Sequence, residues 1–140
     1  MSQGYRALAG LILTLLCSSK ALGQNPRCDL QTAALISKDQ NWGDLYSSFK
    51  HAPCDDGAVA QAFSQNVVHS LTTHWAELPA LQQLASADST FMVFVLKHVD
   101  STAEKKALEA VAHNASDRCP KALPSLCAAI AEAAEHALHQ

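Results

Sequence analysis

Lys97-His98-Val99-Asp100 places an ammonium, an imidazole and a carboxylate within four residues. An imidazole titrates near neutrality and an adjacent carboxylate can orient it, so this set could support acid–base chemistry. Asp55-Asp56 is the second such stretch, since paired carboxylates can share a proton or attract a cation. Each also has a local explanation. An aspartate at a helix start accepts hydrogen bonds from free amides of the first turn and faces the positive end of the dipole. Calcium would require more oxygen ligands than the segment around Asp55 and Asp56 supplies.

Seven histidines invite a metal reading, and their spacing speaks against it. His69 and His74 are five apart, about 140° around a helix, which is not the i, i+4 pair of a zinc helix. His51, His74, His98, His113, His136 and His139 all fall at or near the expected end of a helix. An imidazole there can donate to unpaired carbonyls and meets the negative end of the dipole. No metal ligand set and no cofactor site is expected. Serine-nucleophile, phosphate-loop and dinucleotide motifs are absent, and the chain has only five glycines with which to bring backbone close to a phosphate.

The compartment follows from the first 23 residues. Arg6, an apolar run from Leu8 to Cys17, and Ala21-Leu22-Gly23 form the three zones of a secretory signal peptide. The apolar run falls short of the roughly 20 residues that span a bilayer, so cleavage near Gly23 and no stable membrane anchor are expected. Leu16 before Cys17 speaks against a lipoprotein. Residues 24–140 then form a single domain, secreted or periplasmic. All 13 acidic residues lie in it, whereas Arg6 and Lys20 are removed, leaving it more acidic than the formal −3 of the whole chain. That balance, without a basic cluster, excludes nucleic acid and anionic membrane as natural partners.

Cys28, Cys54, Cys119 and Cys127 remain after cleavage. An even number in an oxidising compartment reads as two disulfides, and no Cys-x-x-Cys pair offers a metal site. Antiparallel helices would bring the starts of the first and third to one end, favouring Cys28 with Cys54. Cys119 and Cys127 flank the start of the last helix and favour each other.

The elements that carry these groups read as helices throughout. Asp29 caps a short helix to Ser37, with Leu30, Ala33 and Ala34 on its inner face. Trp42, Leu45, Tyr46 and Phe49 share one side of a second helix, which Pro53 stops. Val59, Phe63, Val67, Leu71 and Trp75 form a stripe that winds around a third, so it should meet several neighbours. Leu81 and Leu84 lie on a fourth that Asp88 ends, and Asp88 can cap the next. Phe91 to Val99 is apolar nearly all round and predicts a central buried helix. Ser101 and Glu104 match a capping box for a helix carrying Ala103, Ala107, Ala110 and Val111. Asn114 to Lys121 reads as a polar loop containing the Asn114-Ala115-Ser116 glycosylation pattern. Pro124 opens a last helix with Leu126, Cys127, Ile130, Ala134 and Leu138 inside.

The expected architecture is all-α, a compact irregular bundle of six or seven short helices with two disulfides. Leu78-Pro79-Ala80-Leu81 and Leu123-Pro124-Ser125-Leu126, 45 residues apart, add the alternative of HEAT-like stacking. A stapled scaffold without an assembled catalytic set points to a protein-binding or inhibitory, immunity-like module. Its partner would be another protein, with Trp75 or Trp42 as aromatic anchors. The alternative is a small enzyme or metal-binding protein using His98, Asp100, Asp55 or Asp56.

Overall fold

The computed structural model describes residues 28–38 and 41–140; the signal peptide read for residues 1–23 lies outside them. Seven α-helices follow one another: α1 (Leu30–Ile36), α2 (Trp42–His51), α3 (Gly57–Thr73), α4 (Leu78–Ala87), α5 (Ser89–Lys97), α6 (Lys105–Asp117) and α7 (Pro124–Leu138). A 3-10 turn, Trp75–Glu77, joins α3 to α4. The expected all-helical bundle is thus observed, with no strand among the described residues.

The starts follow side-chain chemistry. Asp29 accepts from the Thr32 amide at 2.8 Å and caps α1, and Asn41 does the same for Asp44 in α2 at 3.0 Å. Asp56 caps α3, accepting from the Gly57 amide at 2.7 Å. Gly57 has φ of 53°, a left-handed conformation that glycine adopts without a Cβ penalty. Asp88 serves twice, ending α4 and accepting from the Thr90 amide at 3.1 Å to start α5. Pro79 and Pro124 occupy the first turns of α4 and α7, where a missing N–H costs nothing.

Helix ends leave carbonyls without an intrahelical partner, and three of these are met by side chains from other elements. Asn66 of α3 donates to the Ile36 carbonyl at the end of α1. Asn114 of α6 donates to the Leu71 carbonyl in the last turn of α3, 3.1 Å away. The Trp75 indole N–H donates to the Arg118 carbonyl that closes α6, at 2.8 Å.

α3 runs through the centre, with α1, α2 and α6 packed around it; α6 and α7 form an antiparallel pair, and α5 lies between α4 and α7. The α3 stripe is interior as expected: Val59, Phe63, Val67 and Leu71 are all buried. They meet Leu45, Leu81, Phe91, Val95, Leu108, Val111 and Ile130 in one core, whose removal from water supplies the main driving force for folding. Phe91 is ringed by Tyr46 and Phe49, with centroids 5.0 and 5.4 Å away. Cys28 is bonded to Cys54 and Cys119 to Cys127, each with a Cα separation of 5.9 Å. Both pairings are those expected from helix order.

Several details differ from the sequence reading. In α1 the buried face is Ala33 and Ile36, while Leu30 and Leu35 are 78% and 61% exposed; a seven-residue helix makes too few turns for its pattern to select one face. Helix α5 buries Phe91, Phe94 and Val95 but leaves Val93 69% exposed, because no element covers that side. The capping box at Ser101 and Glu104 does not form. Asp100 takes the Thr102 amide into a turn at 2.9 Å, and α6 begins only at Lys105 without a side-chain cap. The polar loop expected from Asn114 is helical through Asp117, and Asn114 is buried. Its amide is committed to Leu71, so the glycosylation pattern is closed to a glycan in the folded protein. The Leu-Pro-x-Leu stretches each open a helix, but α4, α5 and α6 lie between their starts, not the helix pair of a HEAT-type unit.

Candidate functional site

His98 is the C-cap of α5, where its backbone N–H donates to the carbonyls of Phe94 and Val95. Its ring turns inward, packing 4.5 Å from the Phe94 ring and 5.6 Å from that of Phe63. The residue is 1% exposed, as is Ser64 on α3. His98 Nδ1 lies 2.9 Å from Ser64 Oγ. Ser64 in turn donates to Asp100 Oδ2 at 2.6 Å, with a longer approach of 3.1 Å to the Ala60 carbonyl one turn back. On the other side of the ring, Asp55 Oδ1 stands 3.0 Å from Nε2, and Asp55 Oδ2 pairs with Lys97 Nζ at 2.6 Å. The two stretches singled out in the sequence are thus one cluster, running Lys97, Asp55, His98, Ser64, Asp100.

A count of protons fixes the tautomer. Ser64 has one hydroxyl hydrogen and gives it to Asp100, the shortest of the hydroxyl's three contacts. Nδ1 must then carry the hydrogen shared with Ser64 Oγ, and in a neutral ring Nε2 holds a bare lone pair. That lone pair faces Asp55 Oδ1, an acceptor. Both atoms are buried, and the 3.0 Å between them is hydrogen-bond distance for a protonated ring, a contact that raises the proton affinity of His98.

Electrostatics act on the ring from both directions. Burial pulls His98 below the ordinary imidazole value, Asp55 and Asp100 pull it back up, Lys97 adds to the downward pull, and the net direction is down. Burial pushes Asp100 up, but hydrogen bonds from Ser64 and Thr102, with nearby His98, outweigh it and hold the carboxyl below its usual range. The cluster therefore favours a neutral ring between ionised groups.

Serine, histidine and aspartate in hydrogen-bond reach suggest nucleophilic catalysis, which needs the imidazole to accept the hydroxyl proton. Here the hydroxyl hydrogen goes to Asp100, and Nδ1 donates instead of accepting. Ser64 also sits within α3, where backbone amides belong to the helix ladder and offer no oxyanion hole. Both reacting atoms are sealed from solvent. No group of three or more His, Cys, Asp or Glu side chains among the described residues could hold a metal ion.

The remaining sequence candidates are dispersed. Asp56 only caps α3 and does not join the cluster. Trp75 and Trp42 are interior, so neither ring is presented to a partner. His51, His136 and His139 lie at helix ends as expected, and His51 Nδ1 is 2.7 Å from the Ser47 carbonyl. His113 does not, because α6 runs on to Asp117, with which it pairs at 2.8 Å.

Asp100 also faces outward. It lines a cleft of about 570 Å³ between the end of α5 and the outer side of α7, with Leu96, Val99 and Ala133 as apolar wall and Lys97, Glu132 and His136 as ionisable groups. A second depression of the same volume, at Cys28 and Leu30, adjoins residues outside the described range. Sequence reasoning missed Ser64 and the α7 side of the cleft. Ser64 lies beside Phe63 in the winding apolar stripe, and Glu132, His136 and Gln140 recur every fourth residue, which were the available signals.

No known protein family matches the chain, and no curated protein or solved structure is significantly similar to it. What the fold defines is a disulfide-stapled helical domain. Among its described residues no helix is long and apolar enough to cross a membrane.

Proposed function

We propose that the protein is an exported binding or inhibitory module whose partner is another protein, and that a segment of that partner seats in the α5–α7 cleft. The observation that carries this reading is the cleft itself: about 570 Å³ with an apolar wall and ionisable rim between α5 and α7. Concave sites with a few convergent polar groups are where ligands bind. The two disulfides suit a secreted or periplasmic location. Lys97 is already paired with Asp55, so Asp100 and Glu132 leave the cleft net acidic. A partner segment with an apolar residue and a neighbouring lysine or arginine is the matching chemistry.

The test is affinity capture from the compartment into which the protein is exported, with wild type, the cleft variant Ala133→Arg, and Lys106→Glu on exposed α6 as control. The reading expects a partner retained by wild type and Lys106→Glu and lost by Ala133→Arg. Capture that Ala133→Arg leaves unchanged, or no partner at all, would overturn it.

A further inference from the structure

Two helix C-termini meet at one end of the α5–α7 cleft. Leu96 and Asp100 enter it from the end of α5, while Ala129, Ala133 and His136 follow α7 to its own last turn. Ser101 Oγ donates to Gln140 Oε1 at 3.3 Å, so the two ends lie side by side. The negative ends of both dipoles therefore coincide with the carboxylates of Asp100 and Glu132.

The polar groups of the walls are largely committed already. Asp100 accepts from Ser64 and from the amide and hydroxyl of Thr102, Gln140 Nε2 meets His136 Nδ1 at 2.8 Å, and Lys97 is held by Asp55. The wall backbone belongs to helices and presents no strand edge among the described residues. An extended peptide laid here would bury main-chain N–H and C=O groups without partners, each at a cost of about 1–3 kcal/mol. A helix satisfies its own. The walls also allow one to come close: Ala129 and Ala133, one turn apart on α7, raise nothing larger than a methyl. Leu96 shares its face of α5 with Met92 and Val93 a turn earlier, and Val93 is 69% exposed, so the apolar strip runs on beyond the cleft.

We propose that the cleft is the seat of one amphipathic helix of the partner protein, packed antiparallel to α7 with its N-terminal end against Asp100 and its apolar face on Ala129, Ala133 and Leu96. The proposal rests on the cleft reading above and adds the partner's conformation and direction. The positive end of the entering dipole meets the negative ends of α5 and α7, and a lysine or arginine in its first turns reaches Glu132 or Asp100. Entry in the opposite direction would bring three negative ends together. From Ala129 to His136 the cleft follows α7 for about two turns; so short a segment has little helix when free and folds as it docks.

Phage-displayed random peptides of about 15 residues, roughly four turns, selected on the whole oxidised protein and counter-selected on Ala133→Arg, test it. The expected consensus repeats apolar positions at i, i+3, i+4 and i+7 with a basic residue near its N-terminal end. Glu132→Lys, on the exposed side of α7, should weaken a selected peptide by about tenfold or more. A nitroxide on the peptide N-terminus should broaden the amide signals of Asp100 and Gln140, and one on its C-terminus that of Ala129. An alternating i, i+2 consensus or the reverse broadening pattern would sink the proposal while leaving untouched a partner captured through the cleft. Failure to find any peptide that tells wild type from Ala133→Arg counts equally against it. So does a wild-type dimer that Ala133→Arg turns into a monomer in sedimentation, since the occupant is then a second copy. If Ala133→Arg does not fold, counter-selection on Glu132→Lys decides.

Discussion

Asn114 Nδ2 lies 3.1 Å from the carbonyl of Leu71, buried and 43 residues away in sequence. Leu71 is in the last turn of α3, where the carbonyl has no intrahelical donor, so a side chain of α6 completes a helix it does not belong to. The same side chain accepts from Arg118 Nη1 at 3.1 Å through Oδ1.

Asn114→Ala strands the Leu71 carbonyl in the interior. The expected loss is about 1–3 kcal/mol of unfolding free energy, read from urea titrations. Asn114→Asp should be worse, because a carboxylate cannot donate and would face the carbonyl.

Phe91→Ala should cost about 3–5 kcal/mol, since the ring is fully buried against Tyr46 and Phe49. Val93→Ser, one turn position away on the uncovered side of α5, should stay within about 0.5 kcal/mol. Comparable losses at the two sites would contradict the orientation of α5.

Replacing Cys28 and Cys54 together by serine should lower stability by roughly 3 to 4 kcal/mol, and replacing Cys119 and Cys127 by roughly 2 to 3 kcal/mol. The order follows from the sequence separations of 26 and 8, the larger ring restricting the unfolded chain more. Denaturation of the two double variants under oxidising conditions measures the difference.

Stability should fall on acidification through the His98 transition. The folded protein prefers the ring neutral, with its pKa below 6.5, whereas the unfolded ring takes up its proton near that ordinary value. The contribution is therefore full above 6.5 and is lost as pH falls through the folded value. Asp100, held below 3.8, adds a further loss only in stronger acid. His98→Gln should be less stable throughout yet show a flatter thermal midpoint between about pH 7 and 5. Parallel pH profiles for the two proteins would place the effect elsewhere.

Asp88 accepts from Lys50 Nζ at 3.1 Å and from the Tyr46 hydroxyl at 3.2 Å while capping α5. The Thr90 hydroxyl, then Lys50 and the Thr90 amide, hold its carboxyl at about 2 against the cost of burial. Asp88→Ala should accelerate hydrogen exchange in the first turn of α5 and in the last turn of α2 together. Faster exchange in α5 alone would mean that the link to α2 carries no weight.

The longer helices were legible because their apolar residues repeat at helical spacing, and the cysteine pairing because four cysteines lie beyond the signal peptide expected for residues 1–23. Asp55, His98 and Asp100 could be named as candidates from residue type. Their assembly could not, since Ser64, which joins His98 to Asp100, lies 34 residues from His98 and looks like any helical serine. Asn114 was misread for a related reason: a polar residue suggests a loop unless one knows that a carbonyl is waiting for it. The capping box did not form because Asp100 draws the Thr102 amide and hydroxyl into a turn, and the helix starts only at Lys105. Local patterns specify local structure, whereas the partners of buried polar groups are set by packing.

Asn66, Trp75 and Asn114 give the molecule its cooperativity. Each completes the end of a helix other than its own, so α1, α3 and α6 each leave a final carbonyl unsatisfied when the neighbour that completes it melts. α1 leans on α3, α3 on α6, and α6 on the turn that follows α3. The chain of dependence closes between α3 and α6, which must therefore form and dissolve as a unit, and a fragment cut between them would retain helical sequence without the means to end its helices.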